Sequence, residues 1–244
     1  RVSATLVARD FEEAITYSFI DERSNTAFAG AGSELVLSNP ISSEMSVMRS
    51  SLLPGLVSSA AANVARQQER VRLFEIGKSF HGSLDAPEEV VRIAALACGT
   101  AMPEQWGAAS QAIDFFDIKA DLVAVLELAG DASDITFRAV EDAALQPGQA
   151  AAVVRDGRDI GIVGKLHPRV AKSFDLKRGA YVFEVDALQA LASAAPTAKP
   201  VSRFPVIRRD IAVLVKADIS REELVPAIAA AAPVDVGIML LAAA

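Results

Sequence analysis

The side chains able to do chemistry in this 244-residue sequence are few and widely spaced. Two histidines, His81 and His167, lie far apart, and no cysteine or histidine stands at metal-ligand spacing, so no metal site is expected. His167 immediately precedes Pro168 and reads as a helix-entry residue. The one cysteine, Cys98 in Leu96-Ala97-Cys98, has no base in the neighbouring sequence to draw off its proton and reads as a small buried hydrophobe. Asp114, Asp117 and Asp121 fall at i, i+3 and i+7, one side of a helix. Carboxylates near a helix start answer the positive end of its dipole, so a structural role is expected over a magnesium site. Neither a P-loop nor a GxGxxG pattern is present to cradle phosphate.

Arginines form two clusters. Arg66, Arg70 and Arg72 read as a solvated basic face, with Arg72 and Glu75 as a charged strand pair at a subunit boundary. Arg203, Arg208 and Arg209 are the stronger candidates for RNA contact, because guanidinium groups bind phosphate and stack on bases. The alternative is internal pairing within Arg208-Arg209-Asp210.

The elements that must position these residues follow from periodicity. Leu6, Val7 and Phe11 place a helix that ends near Asp10. Residues 14–20 alternate Ile15, Tyr17 and Phe19 against small or polar neighbours, as a half-buried strand does. A short strand over 34–37 stops at Asn39-Pro40. Leu52, Leu53, Leu56, Val57, Ala60 and Val64 describe an amphipathic helix reaching Gln68. Strands are expected over 70–80 and 90–98, the second apolar enough to be central. A helix around Ile118, Leu122 and Val125 closes at Gly130. Strands over 151–154 and 160–166 flank Asp156-Gly157, a hairpin turn. A short helix follows Pro168, a strand covers 181–185, and Asp186 caps a helix through Leu191. Beyond an Ala/Pro-rich stretch come a strand over 210–216 and the capping box Ser220-Arg221-Glu222-Glu223, opening a helix to Ala231. Without strict strand–helix alternation, the class is α+β. The expected domains are a core over 1–195, a linker over 196–201 and a short second domain over 202–244.

Composition sets outer limits. Hydrophobic residues make up 52% and charged residues 23%, ordinary for a folded chain. The net charge of −7 supplies no overall field to attract nucleic acid, so RNA contact requires a local patch or a partner chain. A single cysteine points to a reducing compartment, the cytoplasm, and no apolar run approaches the ~20 residues that span a bilayer. Arg1 stands where a start methionine is usual, which suggests a segment of a longer protein.

The string from Asn39-Pro40-Ile41-Ser42-Ser43-Glu44 through Arg49-Ser50-Ser51-Leu52-Leu53-Pro54-Gly55-Leu56 resembles the first conserved region of the bacterial phenylalanyl-tRNA synthetase β subunit family. Glu13-Ala14-Ile15-Thr16-Tyr17-Ser18-Phe19, Arg72-Leu73-Phe74-Glu75-Ile76-Gly77, Phe115-Phe116-Asp117-Ile118-Lys119 and Gly164-Lys165-Leu166-His167-Pro168 follow the family's order. Arg203-Phe204-Pro205 and Arg208-Arg209-Asp210-Ile211-Ala212 resemble the opening of its ferredoxin-fold anticodon-binding domain. The match fades after Asp235, and residues 237–244 look like a truncated or foreign tail.

The resemblance implies a class II synthetase-like antiparallel sheet flanked by helices, followed by a partial ferredoxin-like segment. It implies an α2β2 ligase that joins phenylalanine to tRNA with ATP and magnesium, catalysis lying in the α subunit and editing in β domains upstream of Arg1. Working class II sites carry an arginine on the second-motif strand and a glycine-rich strand leading to an arginine-headed helix. Here no arginine follows Phe74, and Tyr181-Val182-Phe183-Glu184-Val185-Asp186-Ala187-Leu188 has neither the glycines nor the arginine. The segment is therefore expected to have no catalytic residues and no cofactor of its own. Its expected role is as a scaffold facing α through Pro40, Leu52, Leu53 and Leu56, with tRNA contact at Arg203, Arg208 and Arg209. The rival readings are an independent ligase with a divergent site and a stand-alone RNA-binding or interaction module derived from a synthetase.

Overall fold

Long runs of alternating side chains, joined by turns that accept a left-handed backbone, build the sheet that dominates this molecule. The computed structural model describes residues 1–29, 35–130, 134–192, 212–216, 219 and 221–231. Contacts divide the chain into two units, Arg1–Pro196 and Thr197–Ala244. The first contains, in order, α1 (Val2–Val7), β1 (Glu12–Glu13), β2 (Phe19–Ile20), α2 (Glu22–Ala29), β3 (Leu35–Val36), β4 (Val47–Met48), α3 (Leu53–Ala65), β5 (Val71–Ser83) and β6 (Ala86–Cys98). It continues with α4 (Phe115–Leu126), β7 (Ile135–Ala139), β8 (Leu145–Arg155), β9 (Arg158–Leu166), α5 (Pro168–Ser173), β10 (Ala180–Asp186) and α6 (Ala187–Ala190).

Seven strands pair in the order β1-β5-β6-β10-β9-β8-β7, with only the β1–β5 contact parallel. A separate three-stranded ribbon pairs β2-β4-β3. The β8–β9 turn falls at Asp156 and Gly157, with φ of 50° and 74°, the double left-handed step that matches strand twist in a two-residue hairpin. β10 pairs with β6 only from Arg92 to Cys98, so the far end of the β5–β6 hairpin continues past the sheet to the Ser83–Ala86 pair.

Both faces of the sheet are covered. Phe74, Ile93, Phe183 and Val163 turn to one side, where α1 and α4 bury Leu6, Ile118 and Leu122. Leu73, Leu96 and Val182 turn to the other, where α3 contributes Leu53, Leu56, Val57 and Ala60. Strands buried on both sides need apolar residues at consecutive positions, which is why the end of β6 reads as an unbroken apolar run and β10 as one interrupted by Glu184.

The strand readings require correction. Within residues 14–20 only β2 forms, and Ile15 and Tyr17 are 93% and 72% exposed rather than half-buried. The edge strand β7 had no counterpart among the strands expected from the sequence. In the second unit, described residues 212–216 carry no strand. The helix expected to Ala231 is present as α7 (Arg221–Ala231), while Ser220, the expected linker and residues 237–244 lie outside the described residues. No described helix is long and apolar enough to cross a membrane.

Candidate functional site

The face of the sheet beneath α3 carries a concentration of buried polar groups. Alternation along β5 places Glu75, Gly77, Ser79 and His81 in one row beyond Leu73; β6 adds Arg92 and β10 adds Glu184. Thr16 and the segment Arg49-Ser50-Ser51-Leu52, just before α3, lie against this row.

Arg49 and Glu75 form a buried ion pair, Nη1 to Oε1 at 2.7 Å, with side chains only 5% and 4% exposed. The same Nη1 donates to Thr16 Oγ1 at 2.9 Å, Arg49 Nε donates to the Lys78 carbonyl at 2.9 Å, and the Thr16 hydroxyl donates to Glu75 Oε2 at 2.7 Å. Such a pair is tolerable in low dielectric only when its remaining lone pairs and protons are also bonded. Two glycines make the space. A Cβ on Gly77 would lie 2.6 Å from Arg49 Nη2, and one on Gly55 of α3 would lie 2.2 Å from Thr16 Oγ1. Turning Thr16 inward to this network turns Ile15 and Tyr17 outward, which accounts for their exposure.

Glu184 anchors the start of α3. Its Oε1 accepts the Leu52 N–H at 2.7 Å and the Ser51 hydroxyl at 3.1 Å, while Ser51 Oγ accepts the Leu53 N–H at 3.0 Å. Burial raises the Glu184 pKa, opposed by the Leu52 N–H, Arg92, the Ser51 hydroxyl and Arg49. Beside it, Arg92 Nε donates to Ser79 Oγ at 3.3 Å, and Ser79 Oγ lies 2.9 Å from His81 Nε2. Burial, then the Arg92 charge, lowers the His81 pKa, leaving the ring neutral near pH 7. A half-open cleft of about 230 Å³ lies among Ser50, Ser51, His81, Glu184 and the apolar walls Phe28, Leu53 and Ile162. Its floor is the Glu184 carboxyl, which offers a phosphate no cation, and the nearby Arg49 is already engaged by Glu75. Among the described residues, no group of three His, Cys, Asp or Glu is placed to hold a metal ion.

The opposite face of β5 holds a second buried network. Arg72 pairs with Asp121 and lies over the Phe11 ring, 4.3 Å from its centroid, and Arg9 Nε reaches Asp121 Oδ1 at 2.6 Å. Burial lowers the Arg72 pKa, with Asp121 opposing. The expected Arg72–Glu75 strand pair is therefore absent: three residues along a strand is an odd step, which puts the two side chains on opposite faces. Nor do Arg66, Arg70 and Arg72 share a solvated face. Arg66 is exposed, Arg70 pairs with Asp10 at 3.2 Å, and Arg72 is buried.

The other residues singled out from sequence have local roles. Asp114 caps α4, accepting from the Phe116 and Asp117 N–H groups at 2.7 and 3.0 Å, and Asp117 returns the bond to the Asp114 N–H at 2.8 Å. Asp121 points instead to Arg72, so the three aspartates do not converge. His167 Nδ1 accepts from the Arg169 N–H at 3.0 Å, capping α5. Cys98 is buried, which pushes its thiol pKa up to about 11. Pro40 is exposed, but Leu52, Leu53 and Leu56 are 0%, 1% and 0% exposed within the chain's own core. Their side chains are not available to a partner, because the apolar stripe of α3 is already covered by β5 and β6. Arg203, Arg208 and Arg209 lie outside the described residues. Thr16, Arg49 and Glu184 stand in the quoted strings with no role assigned to them there, and Arg92 is not singled out; the signal available was a lone glutamate inside the apolar run Tyr181–Val185.

The family model of the phenylalanyl tRNA synthetase beta chain CLM domain matches residues 1–187. The phenylalanine–tRNA ligase beta subunit of Pseudomonas syringae pv. tomato is 45% identical over 215 residues, 88% of this chain and 27% of the relative. That of Aromatoleum aromaticum is 40% identical over 233 residues, 93% of this chain and 29% of the relative. The chain thus spans little more than a quarter of the length of these curated relatives. Among solved structures, a pyrrolysyl tRNA synthetase of Desulfitobacterium hafniense aligns with a TM-score of 0.60 at 12% identity, covering 78% of this chain and 63% of that one. A likeness at that identity concerns the fold, a synthetase-type sheet flanked by helices.

Proposed function

The chain belongs to the phenylalanyl-tRNA synthetase β chain family, and from that premise we propose that it is a non-catalytic scaffold within a phenylalanine–tRNA ligase. In this reading the αβ holoenzyme attaches phenylalanine to its tRNA in the cytoplasm, using ATP and magnesium held by the α subunit. The chain's part is to assemble with α, and with a second β subunit in an α2β2 complex, and to contribute to tRNA contact through Arg203, Arg208 and Arg209.

The observation that carries the reading is the Arg49–Glu75–Thr16 network. It ties up, on the sheet face beneath α3, the guanidinium that a phosphate would need. Glu184 adds a carboxyl and no cation to the same face, so the residues present do not fit a nucleoside triphosphate with magnesium, and no chemical step is assigned to them. The same network also favours an assembly surface, because it turns Ile15 and Tyr17 outward. Ile41, 89% exposed, lies in the adjoining first-motif segment beside exposed Pro40. We assign the α-facing surface to these exposed side chains, in place of Leu52, Leu53 and Leu56.

Co-expression with a bacterial α subunit, followed by size-exclusion chromatography with light scattering, tests this. A stable mixed complex, lost on Ile15→Asp with Tyr17→Asp while the variant keeps its melting temperature, is the expected result. A folded chain that elutes apart from α, or binds ATP alone, overturns the scaffold reading.

A further inference from the structure

The cleft beside α3 has one feature that neither the anchoring of that helix nor assembly with a partner accounts for. Glu184 is 92% buried in effect, its residue being 8% exposed, yet only one of its two oxygens is bonded. Oε1 takes both the Leu52 N–H and the Ser51 hydroxyl. Oε2 has no hydrogen-bond partner among the described residues, and it is not among the fully enclosed atoms that lack one. Glu184 lines the cleft together with Ser50, Ser51 and His81, and its second oxygen is an acceptor there without a bonded donor.

The charges around it decide which ligand fits. Arg49 is bound to Glu75, Thr16 and the Lys78 carbonyl. Arg92 donates its Nε to Ser79 and does not line the cleft. His81, on the rim, is neutral near pH 7. The cleft thus combines the Glu184 carboxyl, Ser50, Ser51 and a neutral His81 with apolar walls from Phe28, Leu53 and Ile162, and no cationic side chain lines it. Phe28 packs edge-on against Phe174, ring centroids 5.8 Å apart. A carboxylate short of partners in such a setting gains most from a donor that also carries positive charge, and its walls from an apolar stem.

We propose that this cleft binds a primary ammonium on a short apolar stem, seated on Glu184 Oε2 with the stem between Phe28, Leu53 and Ile162. About 230 Å³ admits a group of that size. Either a free alkylamine or a lysine side chain of another protein supplies this chemistry. The inference does not rest on where the α subunit docks.

Calorimetric and saturation-transfer NMR titrations of the full chain test it, with three probes: isoamylamine, blocked lysine (Nα-acetyl-lysine methylamide) and isoamyl alcohol, the neutral analogue. The expected result is one site for an amine with Kd on the order of 1 mM, and binding of the alcohol weaker by about tenfold or more. The tighter of the two amines identifies the source. Glu184→Gln is expected to remove the preference for amine over alcohol. Ile162→Phe, at the cross-strand position paired with Glu184, fills the cleft while keeping the carboxyl group; it is expected to abolish binding, and it carries the test if Glu184→Gln fails to fold. Equal affinity for amine and alcohol, unchanged binding by Ile162→Phe, or no binding up to about 50 mM would overturn the proposal.

Discussion

At the scale of single residues, the Arg49–Glu75 pair and Glu184 make different kinds of prediction, the one from loss of a charge and the other from titration. Removing one member of the Arg49–Glu75 pair leaves the other charge stranded, so Glu75→Ala is expected to destabilise the chain by about 3–5 kcal/mol in urea unfolding. Arg49→Met with Glu75→Leu should cost less than the sum of the two single changes, because neither charge is then left alone. Glu184 behaves differently. Its folded pKa is raised above the ordinary 4.5, so the folded state holds the proton more tightly than the unfolded chain does. Stability should therefore fall as pH rises from 4.5 toward the raised value and level off above it. Glu184→Gln should lack that decline, which melting temperatures of both proteins from about pH 4 to about pH 9 will show. Cys98, buried and with a pKa of about 11, should react with a thiol reagent at pH 8 only as fast as the chain opens. Labelling as rapid as that of the urea-unfolded chain would contradict its burial.

At the scale of elements, α3 and α4 are held in different ways. α4 depends on its own first turn, where Asp114 and Asp117 satisfy three backbone N–H groups between them. Asp114→Ala is expected to cost about 1 kcal/mol, read as a melting temperature lowered by about 2–4 °C. α3 is held at its start by Ser51, whose hydroxyl takes the Leu53 N–H, and by Glu184, a strand residue 132 positions away, which receives the Leu52 N–H. Close packing completes the attachment through Gly55, against which Thr16 lies. Gly55→Ala would raise helix propensity by about 1 kcal/mol in an isolated helix, yet it should destabilise this one by about 1–3 kcal/mol, because its methyl meets Thr16. A neutral or stabilising outcome in urea unfolding would mean that Thr16 is free to move, and that the exposure of Ile15 and Tyr17 is not enforced by it.

At the scale of the whole molecule, the pattern of exposure separates what holds the fold from what is left for a partner. Leu56→Ala, deep in the core under α3, should cost about 2–5 kcal/mol. Ile15→Asp should leave the melting temperature within a few degrees while weakening association with α, since a side chain 93% exposed carries little of the fold. The same contrast marks how far the sequence could be read. Helices and long strands were legible because their signals are local: periodicity over Leu52–Val64, the Asp156-Gly157 turn, aspartate at a helix start and proline after His167 depend on neighbours a few residues away. The synthetase-like α+β class followed from the order of those elements and from motif strings. What the sequence could not supply was which side of each element faces protein. Alternation at Ile15, Tyr17 and Phe19 marks two faces equally well, and the choice fell to Thr16, drawn inward by Glu75 and Arg49, residues 59 and 33 positions away. The leucines of α3 have the same apolar pattern whether they cover the chain's own sheet or a partner's; contact with β5 and β6 decided it. The site itself, Arg49 with Glu75 and Glu184 beside the cleft, joins residues from distant segments, and buried charges find partners through tertiary contact, which spacing along the chain does not encode.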